Sequence, residues 1–398
     1  MPPRLALALA VNATLCAAGL SSAIAALAPR WARGRRARWA LALAVPASVA
    51  TAALLEAVAL RWAPLGGGAL RYPLALSRVT LLASLFVAGV LLAARALASL
   101  APPRATPPPA EAGAALTRRE LIARGAAAGA LAVAAPAALV GGARLRHDIA
   151  VTELEVFVDG LPPHLEGLSF AQLTDLHIGV FTGRAELRRI AEITRRLRAD
   201  HVVITGDIFD YSPRHIGEAM VELERLRGRR PAFAVLGNHD HYTGPRRVFD
   251  GLRAVGITPL VNRSVVLDGG AREGLVLAGV DDVMAPRLGT GAGPDLTRAL
   301  ADRGDRPVVL LAHNPICFDI PTPRRPALQL SGHTHGGQIN PGGAMRALLR
   351  YVSGRYERDG GVMYVSRGLG VTGPPVRIAA RPEIVRVSLT GRRRGGLA

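Results

Sequence analysis

At 398 residues the chain is long enough for two or three domains, and its two cysteines, Cys16 and Cys317, are too few for a disulfide framework or a thiolate zinc site. All 49 basic residues are arginine, which together with the abundance of alanine reads as a genomic bias in composition. The net charge of +19 is unevenly spread: residues 1–150 hold 16 Arg against 4 acidic residues, a net of +12, and residues 151–398 hold 33 against 26, a net of +7. The second part therefore has the balance of an ordinary soluble domain, without the basic stripe and stacking aromatics of a nucleic-acid binder.

The excess charge lies between apolar segments. Residues 5–28 carry no charge and are long enough to cross a bilayer as a helix. A second candidate span, 40–60, contains Glu56 as its one ionisable group, and a third runs from Val79 to Leu100 with Arg95 near an end, where it can snorkel to the interface. Residues 1–100 thus read as a transmembrane region of about three helices. A Pro/Ala-rich linker, 101–124, follows, and the Ala/Gly-rich stretch 125–143 reads as a fourth span or a signal-like segment. The 30–38 loop holds Arg30, Arg33, Arg35, Arg36 and Arg38, and the linker holds Arg104, Arg118, Arg119 and Arg124. Arginine-rich loops stay cytoplasmic. A multi-pass bacterial membrane protein with its last domain outside the cytoplasm is the expected topology. TRRELI at 117–122 resembles a twin-arginine export signal, and the same two arginines also serve as positive-inside anchors.

From residue 150 the pattern changes to short apolar runs bounded by turn residues, which read as buried strands. Residues 184–199 and 216–228 have apolar positions at helical spacing, so the order is strand, helix, strand, the signature of an α/β domain over 150–390. Five runs end alike: at Asp175 and His177, at Asp207 and Asp210, at Asn238, His239 and Asp240, at His313 and Asn314, and at His333 and His335. Ligands bind beyond the carboxyl ends of strands in such sheets. A single Asp there is usually a cap or turn former, but five such ends, nearly all next to glycine, form a set. The donors are imidazole and oxygen with no thiolate, which suits Mn, Fe or Zn, and there are enough for two ions.

TDLH, GDIFD, GNHD, AHNP and GHTHGG, in this order, resemble the five signature blocks of the calcineurin-like metallophosphoesterases. The resemblance implies a two-sheet β-sandwich flanked by helices with metals at one edge. It also implies one ion on Asp175, His177, Asp207 and His335, and a second on Asp207, Asn238, His313 and His333, with Asp207 bridging. His239 matches the catalytic histidine and Asp240 the carboxylate that orients it. Asp210 stays open between a supporting and a structural role, and Asp281 and Asp282 between substrate contact and a strand-end turn. Two cations about 3.5–4 Å apart would activate a water for in-line attack on phosphorus, with His239 protonating the leaving oxygen.

LAGVDD at 277–282 and YVSRGLGVTGPPVRIAARPEI at 364–384 resemble a narrower branch of membrane-attached or exported bacterial phosphoesterases. For that branch the resemblance implies phosphodiester or pyrophosphate substrates, in some members lipid-linked ones such as UDP-diacylglucosamine. A nuclease or phosphomonoesterase on the same fold, and a non-catalytic metal-binding membrane receptor, are the alternatives. The charge split counts against the first of these and the complete ligand set against the last.

Overall fold

The computed structural model describes residues 147–392, apart from 228–229, 268–272 and 374. The spans expected within 1–143 and the TRRELI segment lie outside the described residues. Among the described residues no helix is long and apolar enough to cross a membrane.

Strands buried on both faces read as near-continuous apolar runs, and the central runs here are of that kind. Among the described residues twelve strands form two mixed six-stranded sheets. The first has the order β1 (Ala150–Phe157), β12 (Glu383–Thr390), β2 (Ser169–Leu173), β3 (His201–Thr205), β4 (Ala232–Val235) and β5 (Ile257–Pro259). The second has the order β10 (Gly354–Arg358), β11 (Gly361–Val365), β9 (Leu328–Ser331), β8 (Val308–Leu311), β7 (Leu275–Gly279) and β6 (Arg263–Leu267). Strands β2 to β5 run parallel, as do β7, β8, β9 and β11, so each sheet presents several carboxyl ends at one edge. The strands β1, β6 and β10, each last in its sheet, show partial exposure, whereas β2, β3, β4, β7, β8, β9 and β11 are buried throughout.

Side chains alternate across each strand. Phe170, Val203, Phe233 and Val235 point from the first sheet into one apolar cluster with Leu277, Val309, Leu311 and Leu330 of the second. The opposite positions Leu173, Val202 and Ile204 pack with Leu187 and Ile190 of α1 (Arg184–Arg196), Leu223 of α2 (Ile216–Glu224) and Leu252 of α4 (Pro245–Ala254). The outer face of the second sheet, Val276, Val308 and Leu310, meets Leu296 and Ala299 of α5 (Leu296–Ala299). Burying each such side chain contributes about 1.5–3 kcal/mol. The result is two sheets with a shared core and helices against the outer faces, as expected; α1 and α2 fall where the helical spacing placed them. The short α3 (Asn238–Thr243) begins within the third polar block.

Candidate metal centre

The apolar cores fix the strands, and the loops just past their ends carry the polar residues. Asp175, Asp207, His313 and His333 each lie two residues beyond the last residue of β2, β3, β8 and β9, and Asn238 opens α3 after β4. Both sheets therefore feed one edge. Asp175, His177, Asp207, His333 and His335 all have positive φ, between +44° and +73°. For residues with a Cβ this region costs on the order of 1–3 kcal/mol each and persists only where the surroundings enforce it. Two glycines do enforce close approach. A Cβ at Gly237 would collide with Asp207 Oδ1, and one at Gly332 with Thr174 Oγ1 and Asp175 Oδ2.

Within this frame the donors converge. His177 Nε2 and His335 Nε2 are 2.9 Å apart, and His335 Nε2 lies 3.4 Å from Asp175 Oδ1. Asp207 Oδ2 stands 3.7 Å from His177 Nε2 on one side and 3.2 Å from His313 Nε2 on the other. His333 Nδ1 is 3.0 Å from Asn238 Oδ1 and 3.3 Å from His313 Nε2. The candidate sets Asp175/His177/His335 and Asp207/His313/His333 each gather their ligand atoms within 4.8 Å. Asp207 sits between them. All seven residues expected as ligands are brought together.

The donor chemistry fits cations. His313 Nδ1–H donates to the Thr205 carbonyl at 2.9 Å, so Nε2 is the atom that faces Asp207, at 3.2 Å. In the metal-free site the His177 and His335 Nε2 atoms, 2.9 Å apart, are within reach of one N–H···N hydrogen bond; with that proton removed, both would turn a lone pair toward the same cation. The proton balance of the metal-free site agrees. Burial works against ionised Asp207, but the His313 imidazole outweighs it and holds the carboxyl well below its usual range. Burial, with His313 adding to it, pushes His333 down to about 4, and burial with His177 nearby pushes His335 well down, leaving both as neutral imidazoles.

His239 is held differently from what sequence suggested. Its Nδ1–H donates to the Asp210 main-chain carbonyl at 2.8 Å, and the Asp210 carboxylate oxygen Oδ1 lies 3.4 Å from the same nitrogen. That oxygen is also 3.5 Å from His177 Nδ1. Asp240, expected to orient His239, is instead fully buried and accepts main-chain N–H groups from Ile208, Phe209 and Gly237 at 3.0 Å each. It fastens the β3 loop to the β4 loop, and His239 N–H completes the link to Asp207 Oδ1 at 2.8 Å. The reason is directional: at the start of α3 the Asp240 side chain turns back over the orphan amides of the first turn.

Asp281 accepts from His241 Nε2 at 2.9 Å and Gly293 N, and Asp282 accepts from Met284 N, the turn-forming arrangement rather than an approach to the ligands. Sequence reasoning passed over buried Arg377, whose guanidinium donates to the Gly370, Arg367 and Ala380 carbonyls and lies 3.3 Å from His335 Nδ1. It also passed over Tyr211 and Tyr242, both beside His239. Tyr211 directly follows GDIFD and Tyr242 stands two residues past GNHD, which was the available signal.

Residues 168–337, from the approach to β2 through the GHTHGG loop, match the model of the calcineurin-like phosphoesterases. A metallophosphoesterase of Aquifex aeolicus, itself uncharacterized, is 30% identical over 256 residues, which span 61% of this chain and 92% of that one. The chain belongs to the calcineurin-like metallophosphoesterases. A transmembrane protein with metallophosphoesterase domain from Bos taurus is 36% identical over 252 residues, 60% of this chain, and one of the same description from Danio rerio is 34% identical over 269 residues, 65% of this chain. The matches span 57% and 62% of those two relatives. All five polar blocks fall inside the matched segment, whereas Arg377 and β10 to β12 lie beyond it.

Proposed function

We propose that this chain is a metal-dependent phosphoester hydrolase that cleaves phosphodiester or pyrophosphate bonds. Asp175, His177, Asp207 and His335 would hold one divalent ion, and Asp207, Asn238, His313 and His333 the other. Mn, Fe and Zn suit such a mixed nitrogen and oxygen donor set. Two such cations supply positive charge to the phosphoryl oxygens and acidify a water. The observation that carries the reading is the Asp207 carboxylate facing both histidine groups, 3.7 Å from one and 3.2 Å from the other.

The chain's own residues do the rest. His239 keeps Nδ1 on the Asp210 carbonyl, so Nε2 is the atom left for substrate. Burial opposes a charge on this ring, yet Asp210 and Asp207 outweigh it and push its pKa up to about 9 in the metal-free protein. A protonated imidazole at neutral pH can donate to a departing alkoxide. The arginine distribution of residues 1–150, and the transmembrane description of the Bos taurus and Danio rerio relatives, support a membrane-held enzyme with this domain outside the cytoplasm. A lipid-linked or nucleotide-lipid phosphoester, UDP-diacylglucosamine among them, is the substrate class that suits such a position.

The test separates metal holding from proton transfer. His239→Ala should keep about two ions per chain and lose kcat by roughly 10²–10⁴-fold on bis(p-nitrophenyl) phosphate, whereas Asp207→Asn should lose both ions and rate. Full activity of the wild type after exhaustive chelation, or metal loss in His239→Ala, would overturn the assignment.

A further inference from the structure

Among the described residues, Tyr211 and Tyr242 are the exposed aromatic side chains, 37% and 41% accessible. They are not scattered. Their rings stack on each other with centroids 5.9 Å apart and planes 20° from parallel. Both also touch His239: Tyr211 at 4.5 Å, and Tyr242 edge-on at 5.3 Å. The same imidazole also meets His177, with centroids 4.6 Å apart in a T-shaped contact, so His239 touches both the metal-facing histidine and the tyrosine pair.

Apolar rings that cluster at the surface, unlike ones scattered singly, mark contact surfaces. Here the two rings pack on each other and on the residue assigned to the leaving oxygen, so a group bonded to that oxygen would lie beside them. Tyr211 is set by the loop after β3, fastened through Asp240 to Ile208 and Phe209, and Tyr242 is set within α3, so both come from the rigid frame of the site. A preset pair of rings in nearly the same orientation recognises flat, polarisable groups better than chains, because a planar ligand gains full overlap at small entropic cost.

Resting on the hydrolase reading above, we infer that Tyr211 and Tyr242 form a subsite for a planar ring carried on the leaving-group side of the substrate, a nucleobase or an aryl group. The pair sets preference among phosphoesters and leaves metal holding to the seven ligand residues.

The experiment uses the full-length, Mn-loaded chain and measures calorimetric Kd values for phenyl-, cyclohexyl- and methylphosphonate. Wild type should bind the phenyl compound about tenfold more tightly than the methyl compound, the scale of one aromatic contact, and more tightly than the cyclohexyl one. The phenyl-to-methyl ratio should fall to near one in Tyr211→Leu and Tyr242→Leu, and Tyr242→Phe should restore it. If the tyrosines only brace His239, all three affinities shift together and the ratio survives, which refutes the subsite. Equal binding of phenyl- and cyclohexylphosphonate refutes the planar class. Methylphosphonate binding without phenyl preference sinks the subsite and leaves the metal reading intact, whereas no binding of any of the three sinks both.

Discussion

Asp210 and Asp240 are both buried carboxylates close to His239, and the structure gives them different work. Asp210 Oδ1 stands 3.4 Å from His239 Nδ1 and 3.5 Å from His177 Nδ1 and has no hydrogen bond of its own. Burial tends to raise its pKa, but the two neighbouring imidazoles hold the carboxyl below its ordinary value, so it stands as an anion beside the His239 ring. Asp210→Asn removes that charge while nearly preserving volume. Removing a carboxylate behind a metal-ligating histidine costs about 10–100-fold in metal affinity or activity, here about 1.4–2.7 kcal/mol. At saturating metal we expect kcat to fall by that factor and the alkaline limb of the pH profile to move to lower pH. His239 loses the group that keeps it protonated.

Asp240→Asn should act through stability instead. Asp240 accepts three main-chain N–H groups, and an amide NH₂ in place of one oxygen turns a donor toward another donor. An unsatisfied buried donor costs about 1–3 kcal/mol. Relief of repulsion from Asp207, which together with burial pushes the Asp240 pKa up to about 6, offsets part of this. The expected net loss of about 2 kcal/mol corresponds to a fall in Tm of roughly 4–8 °C for a domain of this size. Thermal melts and pH–rate profiles on both variants decide the matter. A stable Asp240→Asn enzyme with a shifted pH profile, beside an Asp210→Asn enzyme indistinguishable from wild type, would show that the roles are reversed.

His201, buried between the Phe170 and Phe233 rings with Nδ1–H on the Pro231 carbonyl, has its pKa lowered from 6.5, mainly by burial. The unfolded chain therefore binds the proton first as pH falls, so the stability from neutral His201 is complete above about pH 6.5 and is lost on acidification toward the folded-state pKa. Urea midpoints of His201→Phe should depend less on pH than wild type between about pH 7 and pH 5, and equal slopes would exclude this account. For topology, a phosphatase reporter fused after residue 145 should be active outside the cytoplasm, and a reporter within 30–38 should be located in the cytoplasm; a cytoplasmic location for the first fusion would place the substrate inside the cell.

The site was legible in sequence because its chemistry is unlike its surroundings. Asp, Asn and His at the ends of apolar runs have few alternatives once five ends share the pattern, and the parallel order of β2, β3 and β4 puts three of those ends at one edge. What was not legible is side-chain direction. GDIFD and GNHD each offer a carboxylate to His239, and no periodicity chooses between them. The choice follows from Asp207 lying at φ +49° and from Asp240 folding back over the start of α3. Arg377 was hidden for a related reason: its partners are carbonyls of an irregular loop, Gly370, Arg367 and Ala380, and carbonyls leave no mark in side-chain sequence. The arginine-rich first part, with its candidate spans, lies outside the described residues and rests on sequence alone.

The metal-free site also shows why the ligands are so tightly constrained. Asp175, Asp207, Asp210 and Asp240 are buried close together, and such a group of carboxylates is unfavourable unless positive charge is placed among them. Burial itself raises the Asp175 pKa, and Asp207 adds to the rise, so the group resists full ionisation. Burial alone would make His313 less basic, yet Asp207 and Asp175 overcome it and raise its pKa well above the ordinary value. In the absence of metal, then, a proton on His313 Nε2 supplies part of the charge that a cation would bring. A cation held there would have to displace that proton. The positive φ of Asp207 and the close approach of Gly237 hold its carboxylate against His313, so proton and cation would compete for the one Nε2 lone pair.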